Sequence, residues 1–217
     1  MQTVKTGKEK QEAYAQNFRL LKKALEQGFY LEGVAISYAV IEDRLVAFLH
    51  HAGIISRNKE DLRVNRSAYP YMRLLLRKEK DYSIKVKDVS VKMSLVLALL
   101  DLSEDRALEI DNCIKEQISL SNRKKGFLSP GYMQDVVSQI SRTLDKDAIR
   151  RVISDLDQWR KDRNVLIHAL LNRTVSSTEP SKQKCAEDGK EIARAVDNLL
   201  VKPFKDNNRI RKKYNIQ

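Results

Sequence analysis

The chain has 217 residues, 32% of them charged, with 41 Lys and Arg against 29 Asp and Glu for a formal net charge of +12. That length fills one core and makes a single domain the expectation, and seven Gly with four Pro argue for long helices over a strand-and-turn protein. The positive excess favours a polyanionic partner such as RNA, DNA or anionic lipid.

Cys113 and Cys185 stand apart from each other and from the three histidines, so the sequence has no metal-ligand spacing and no disulfide framework. No metal and no organic cofactor is expected. The polar stretch from Met1 to Lys10 lacks a signal-peptide core. The most apolar run, Met93 to Leu100, is far shorter than the ~20 residues that cross a bilayer. These features predict a soluble cytoplasmic protein with no membrane partner.

In chain order, apolar residues at helical spacing predict a first helix from about Glu9 to Gln27, ended by Gly28. A second runs from about Phe29 to His51 with Gly53 as its stop, and Glu42 falls inside its wide apolar arc. The middle segment is rich in Arg and Lys and carries short helical stretches near Tyr69–Arg77, Val89–Leu102 and Glu104–Ser119. There Tyr69, Tyr71 and Tyr82 lie among Arg66, Arg73, Arg77 and Lys80. Basic residues interleaved with aromatics suit single-stranded nucleic acid, although side chains snorkelling from an amphipathic helix give the same pattern.

Ser121 to Gly131, with Lys124 and Lys125, reads as a basic loop, and Arg66, Arg73, Arg77, Lys124 and Lys125 are the candidate RNA contacts. A helix from about Gly131 to Leu144 follows, then a long helix capped by Asp145 or Asp147 and ending near Leu171. Thr174 to Lys184 reads as a polar loop. The last helix, about Cys185 to Val201, has a small-residue face of Ala186, Gly189 and Ala193. Pro203 ends it, and a basic tail closes the chain. The expected architecture is all-α: one helical bundle with its core in about 9–53 and 131–201, a helical insertion at about 54–130, and a tail at 203–217.

The stretch Trp159-Arg160-Lys161-Asp162-Arg163-Asn164-Val165-Leu166-Ile167-His168 carries the most information. At about 100° per residue, Ile149, Val152, Ile153, Leu156, Trp159, Leu166, Ile167 and Leu170 gather on one side. Arg163 projects from the middle of that side and Arg160 lies within it. Asn164 and His168, four residues apart, form a row along its edge. A buried guanidinium without a partner is strongly destabilising, so the sequence implies a carboxylate, another subunit or a phosphate. Glu42, the other misplaced charge, is a natural partner.

Arg163-Asn164-Val165-Leu166-Ile167-His168 resembles the signature of the HEPN superfamily, helical domains whose best-known members are metal-independent RNases. Arg44 followed by His50 or His51 matches the same loose spacing, but by angle Arg44 falls mainly on the polar side of its helix and reads as solvated surface. The order of elements is also similar to the family's, and Glu42 occupies a place like the polar position many members carry. Leu170 stands where some members have a Tyr, which argues against a nucleotidylylation switch.

What the resemblance implies is an endoribonuclease that leaves 2′,3′-cyclic phosphate and 5′-hydroxyl ends without Mg²⁺. Arg163 would hold phosphate oxygens, His168 would transfer protons, and Asn164 would orient the ring or bind substrate. Arg160 would be a second phosphate ligand or the Glu42 partner. One such His per chain leaves one proton role empty, and the family answer is a homodimer with a composite site. Phage defence or a toxin–antitoxin setting, with an antitoxin or regulatory protein as partner, is the family habit. The competing expectations are a non-catalytic HEPN module that binds RNA or nucleotide and dimerises, and a basic helical interaction protein. In the last, Arg160 and Arg163 pair with Glu42 and nearby carboxylates and His168 is a packed bundle histidine.

Overall fold

A computed structural model describes residues 7–57, 62–64, 68–75, 86, 88–120, 131–171, 179–205 and 208–214. The elements are α1 (Gly7–Glu26), α2 (Tyr30–His51), β1 (Ile55–Arg57), β2 (Leu62–Val64), α3 (Tyr69–Leu75), α4 (Val89–Leu100), α5 (Glu104–Leu120), α6 (Tyr132–Thr143) and α7 (Lys146–Leu171). Then come α8 (Glu179–Val196), a π-turn (Asp197–Val201), α9 (Lys202–Lys205) and α10 (Asn208–Lys213). Among the described residues the regular elements are helical apart from β1 and β2, an antiparallel ribbon with Ile55 opposite Val64 that the all-α expectation lacked. No described helix is long and apolar enough to cross a membrane.

The helix limits follow from local chemistry. Gly28 (φ 73°) and Gly53 (φ 77°) adopt the left-handed conformation that ends α1 and α2. Asp145 caps α7, its Oδ1 accepting from the Ala148 N–H at 2.9 Å. Two C-terminal expectations need correction. First, α8 begins at Glu179, within the stretch read as a loop; Pro180 in its first turn supplies a helical φ and lacks only an N–H that would be unpaired there. Second, Pro203 does not end the helical path. A π-turn precedes it and resets the hydrogen-bond register, so Pro203 enters in the first turn of α9, where it is tolerated.

The described contacts fall into two compact units, one of residues 1–44 and 150–198 and one of 45–149 and 199–217. The segment expected as an insertion thus makes up most of the second unit. In the first, α8 packs its small-residue face closely: a Cβ on Gly189 would lie 2.7 Å from Trp159 Cζ2 and 3.0 Å from Ser37 Cβ. The Trp159 indole N–H donates to the Cys185 carbonyl at 2.7 Å. With Leu21, Val34, Ile41, Ile153, Leu156 and Ala193 buried around it, this contact fixes α2 and α7 against α8.

In the second unit, the N-terminus of α6 follows Gly131 (φ 91°), which has no side chain to cap with. The buried Asp111 of α5 takes that role, accepting from the N–H groups of Met133 (3.2 Å) and Gln134 (2.9 Å). Tyr132 donates to the Ala52 carbonyl and meets the rings of Tyr71 and Tyr214 edge-on. The expected basic tail includes a helix: on α10, Ile210 is buried, while Lys213 and then Tyr214 reach Asp135.

Candidate functional site

The site is built on the C-terminal half of α7. As far as Trp159, its inward residues Ile149, Ile153 and Leu156 are buried; beyond it, Leu166 is the fully buried side chain among residues 160–170. The apolar face expected to run on through Ile167 therefore narrows earlier, leaving Val165 70% and Ile167 41% exposed. Trp159 is pinned by its hydrogen bond to α8, so the next residue on its row, Arg163, is carried to Tyr38 of α2. The guanidinium carbon lies 4.1 Å from the Tyr38 ring centroid, a cation–π stack. Nη2 donates to Asn164 Oδ1 at 2.7 Å. The buried Nε has no hydrogen-bond partner. Among the described residues Arg163 forms no ion pair.

Arg160 differs. It donates through Nε (3.3 Å) and Nη2 (2.9 Å) to Asp157 one turn back, and Lys161 reaches the other oxygen of that carboxylate at 2.7 Å. Hydrogen bonds from Lys161 and then Arg160 hold the Asp157 carboxyl below its usual range. Arg160 is thus answered by a carboxylate of its own helix, Asp157, where the sequence pointed to Glu42. Glu42 is half-buried on α2, one turn beyond Tyr38 on the same row. His168 is exposed, one turn after the half-buried Asn164.

The reading of Arg44 as solvated surface is overturned. Its side chain is only 14% exposed and pairs with Asp43 and, at 3.4 Å, with the 6%-exposed side chain of Asp197. Its guanidinium carbon stacks 4.1 Å from the Tyr14 ring centroid. Burial first, and the Asp197 charge second, push the Tyr14 phenol above its ordinary pKa of 10.0. Periodicity could not reveal this cluster, because Asp197 lies 153 residues along the chain from Arg44.

Of the candidate RNA contacts, Arg73 is half-buried on α3; Arg66, Arg77, Lys124 and Lys125 lie outside the described residues. Tyr71 is fully buried against Tyr132, so its ring is not free to stack on a base. No cluster of three or more His, Cys, Asp or Glu that could hold a metal occurs among the described residues. Neither a family model nor a curated protein nor a solved structure matches this chain.

Proposed function

We propose that the protein is a HEPN-type endoribonuclease, a helical bundle that cleaves RNA in the cytoplasm without a metal ion. The observation that carries this reading is the state of Arg163. It is a half-buried cation, held over a tyrosine ring and bonded to an amide, with a buried N–H that has no hydrogen-bond partner. Such a donor set is suited to phosphate oxygens, which a guanidinium grips in a planar fork.

In the reaction, a base takes the proton of the ribose 2′-OH and the 2′-oxygen attacks phosphorus. The P–O5′ bond breaks, and an acid protonates the departing oxygen, leaving 2′,3′-cyclic phosphate and 5′-hydroxyl ends. Arg163 stabilises the charge that grows on the non-bridging oxygens. His168, exposed in the last turn of α7, donates the proton. Asn164, bonded to Arg163 and one turn from His168, links the two.

His168 follows Arg163 by five positions, about 140° around the helix. One protomer therefore directs them apart, and a composite site in a homodimer completes the constellation. The exposed Val165 and Ile167 beside His168 offer apolar surface for a second copy. The same angular separation supports a second reading, a non-catalytic RNA-binding module that uses Arg163 alone. A defence or toxin role, with an antitoxin or regulator as partner, rests on the family resemblance.

The test is cleavage of generic RNA in EDTA with analysis of the product ends. His168→Ala is expected to abolish cleavage while the fold is kept. Activity that requires a divalent ion would exclude this chemistry. Salt-sensitive RNA binding that survives His168→Ala, with no cleavage by the wild type, would select the binding module.

A further inference from the structure

We infer that Tyr38 is a positioning residue for Arg163, its ring holding the guanidinium so that the free N–H edge meets a phosphate oxyanion. This rests on the ribonuclease reading and adds to it a residue that the motif does not contain. A cation near a protein core needs an electrostatic counterpart. A carboxylate would supply one, but it would also occupy the N–H donors that a phosphate must use. An aromatic face supplies attraction through its quadrupole and occupies none of them.

The surroundings of Arg163 fit that division of labour. The Tyr38 ring lies under the guanidinium carbon at 4.1 Å, Nη2 donates to Asn164, and the buried Nε has no hydrogen-bond partner. Acidic residues stand nearby on the same helix but are engaged elsewhere: Asp157 with Arg160 and Lys161, and Asp162 as the acceptor of Gln158 Nε2 at 2.8 Å. Tyr38 is itself held by its neighbour, since Ser37 is fully buried and packs at the Gly189 crossing. Ring and cation are therefore set by one contact, the close approach of α8.

The molecule carries its own control. Arg44 lies over Tyr14 at the same distance and its Nε is likewise without a partner, but Asp43 and Asp197 occupy its two terminal nitrogens. A stack that merely stabilises should behave alike at both places. The experiment compares Tyr38→Leu, Tyr38→Phe and Tyr14→Leu in the full chain, reading kcat and KM on a short RNA in EDTA alongside thermal melts. Because a misplaced catalytic group costs up to about a hundredfold, Tyr38→Leu is expected to lower kcat roughly ten- to a hundredfold with KM changed less than about threefold. Tyr38→Phe restores kcat, because the ring and not the hydroxyl is what acts. Tyr14→Leu lowers the melting temperature and leaves kcat within about twofold, since the cation it stacks on is already neutralised by two carboxylates.

A second arm does not need turnover. The chain has one tryptophan, Trp159, one turn before Arg163, so its fluorescence reports binding of a 2′-O-methyl RNA that cannot be cleaved. Tyr38→Leu should weaken that affinity about two- to threefold, in line with the small change in KM, and Tyr38→Phe should not. Cleavage by the wild type with a flat Tyr38 series, or a Phe variant as impaired as the Leu variant, overturns the positioning role alone. Binding without cleavage by the wild type overturns the nuclease reading, and the affinity series then decides the role of Tyr38. If the wild type neither cleaves nor binds, both fall.

Discussion

Arg44 and Arg163 occupy parallel settings in the first unit. Each lies 4.1 Å from the centroid of a tyrosine ring and each has a buried Nε without a partner. They differ in what meets the rest of the guanidinium: two carboxylates at Arg44, one neutral amide at Arg163. The first arrangement closes its charge within the protein and serves the fold. The second leaves charge and donor capacity for something outside the chain. Motif spacing cannot make this distinction, because both arginines precede a histidine at a permitted interval; partner chemistry can.

The comparison is tested most severely by removing each arginine in turn. Arg44→Ala breaks the ion pair with the nearly buried Asp197, and losing one member of such a pair costs about 3–5 kcal/mol. Arg163→Ala strands no carboxylate, so about 1 kcal/mol of stack and packing is expected to be lost. Urea unfolding of the two variants reads the difference. Equal losses would mean that Arg163 is as structural as Arg44.

Activity should reverse that order. Removing an oriented donor from developing negative charge lowers kcat by about 10²–10³, and Arg163→Ala is expected to do so in RNA cleavage. Once folded, Arg44→Ala should retain turnover. A smaller loss is expected from Gly189→Ala, where the added methyl would meet Trp159 and Ser37. Overpacking of this kind costs about 1–3 kcal/mol. Since that crossing also sets Tyr38 against Arg163, Gly189→Ala should lower both the melting temperature and kcat. A variant losing stability alone would separate the crossing from the site.

How much of this was legible in the sequence depends on the range of the interaction. Periodicity located the long helices, Gly28 and Gly53 marked their stops, and Asp145 announced the α7 cap, because each is a contest among neighbouring residues. The small-residue face of α8 was also visible, though not that Gly189 meets Trp159. Three-residue strands are too short to show a period, so β1 and β2 were missed. α10 read as tail because a single apolar residue, Ile210, anchors it. At the candidate site, the inward projection of Arg163 was legible from angle alone. Its tyrosine partner, the Asp157 partner of Arg160 and the burial of Arg44 were not, since side-chain choice among several acceptors is decided by tertiary approach.

The smallest effect expected concerns pH and sharpens the structural half of the comparison. Burial and the Asp197 charge raise the folded Tyr14 phenol above 10.0, with Arg44 pulling the other way. Folding thus favours the protonated phenol. Its contribution is fully present below pH 10 and is lost as pH rises beyond, where the unfolded chain ionises first. Burial likewise pushes the Cys185 thiol up to about 11, so that group adds loss of the same sign above its ordinary 9.0. Melting temperatures recorded from pH 8 to 11 should therefore fall at the alkaline end. They should fall less steeply in Tyr14→Phe, which keeps the ring under Arg44 but has no proton to lose. The residual slope belongs to Cys185 and to Tyr71, Tyr132 and Tyr214, which burial raises in the second unit. Identical slopes in the two proteins would mean that the Tyr14 phenol titrates alike in the folded and unfolded chain, so that neither its burial beside Arg44 nor the Asp197 charge acts on it.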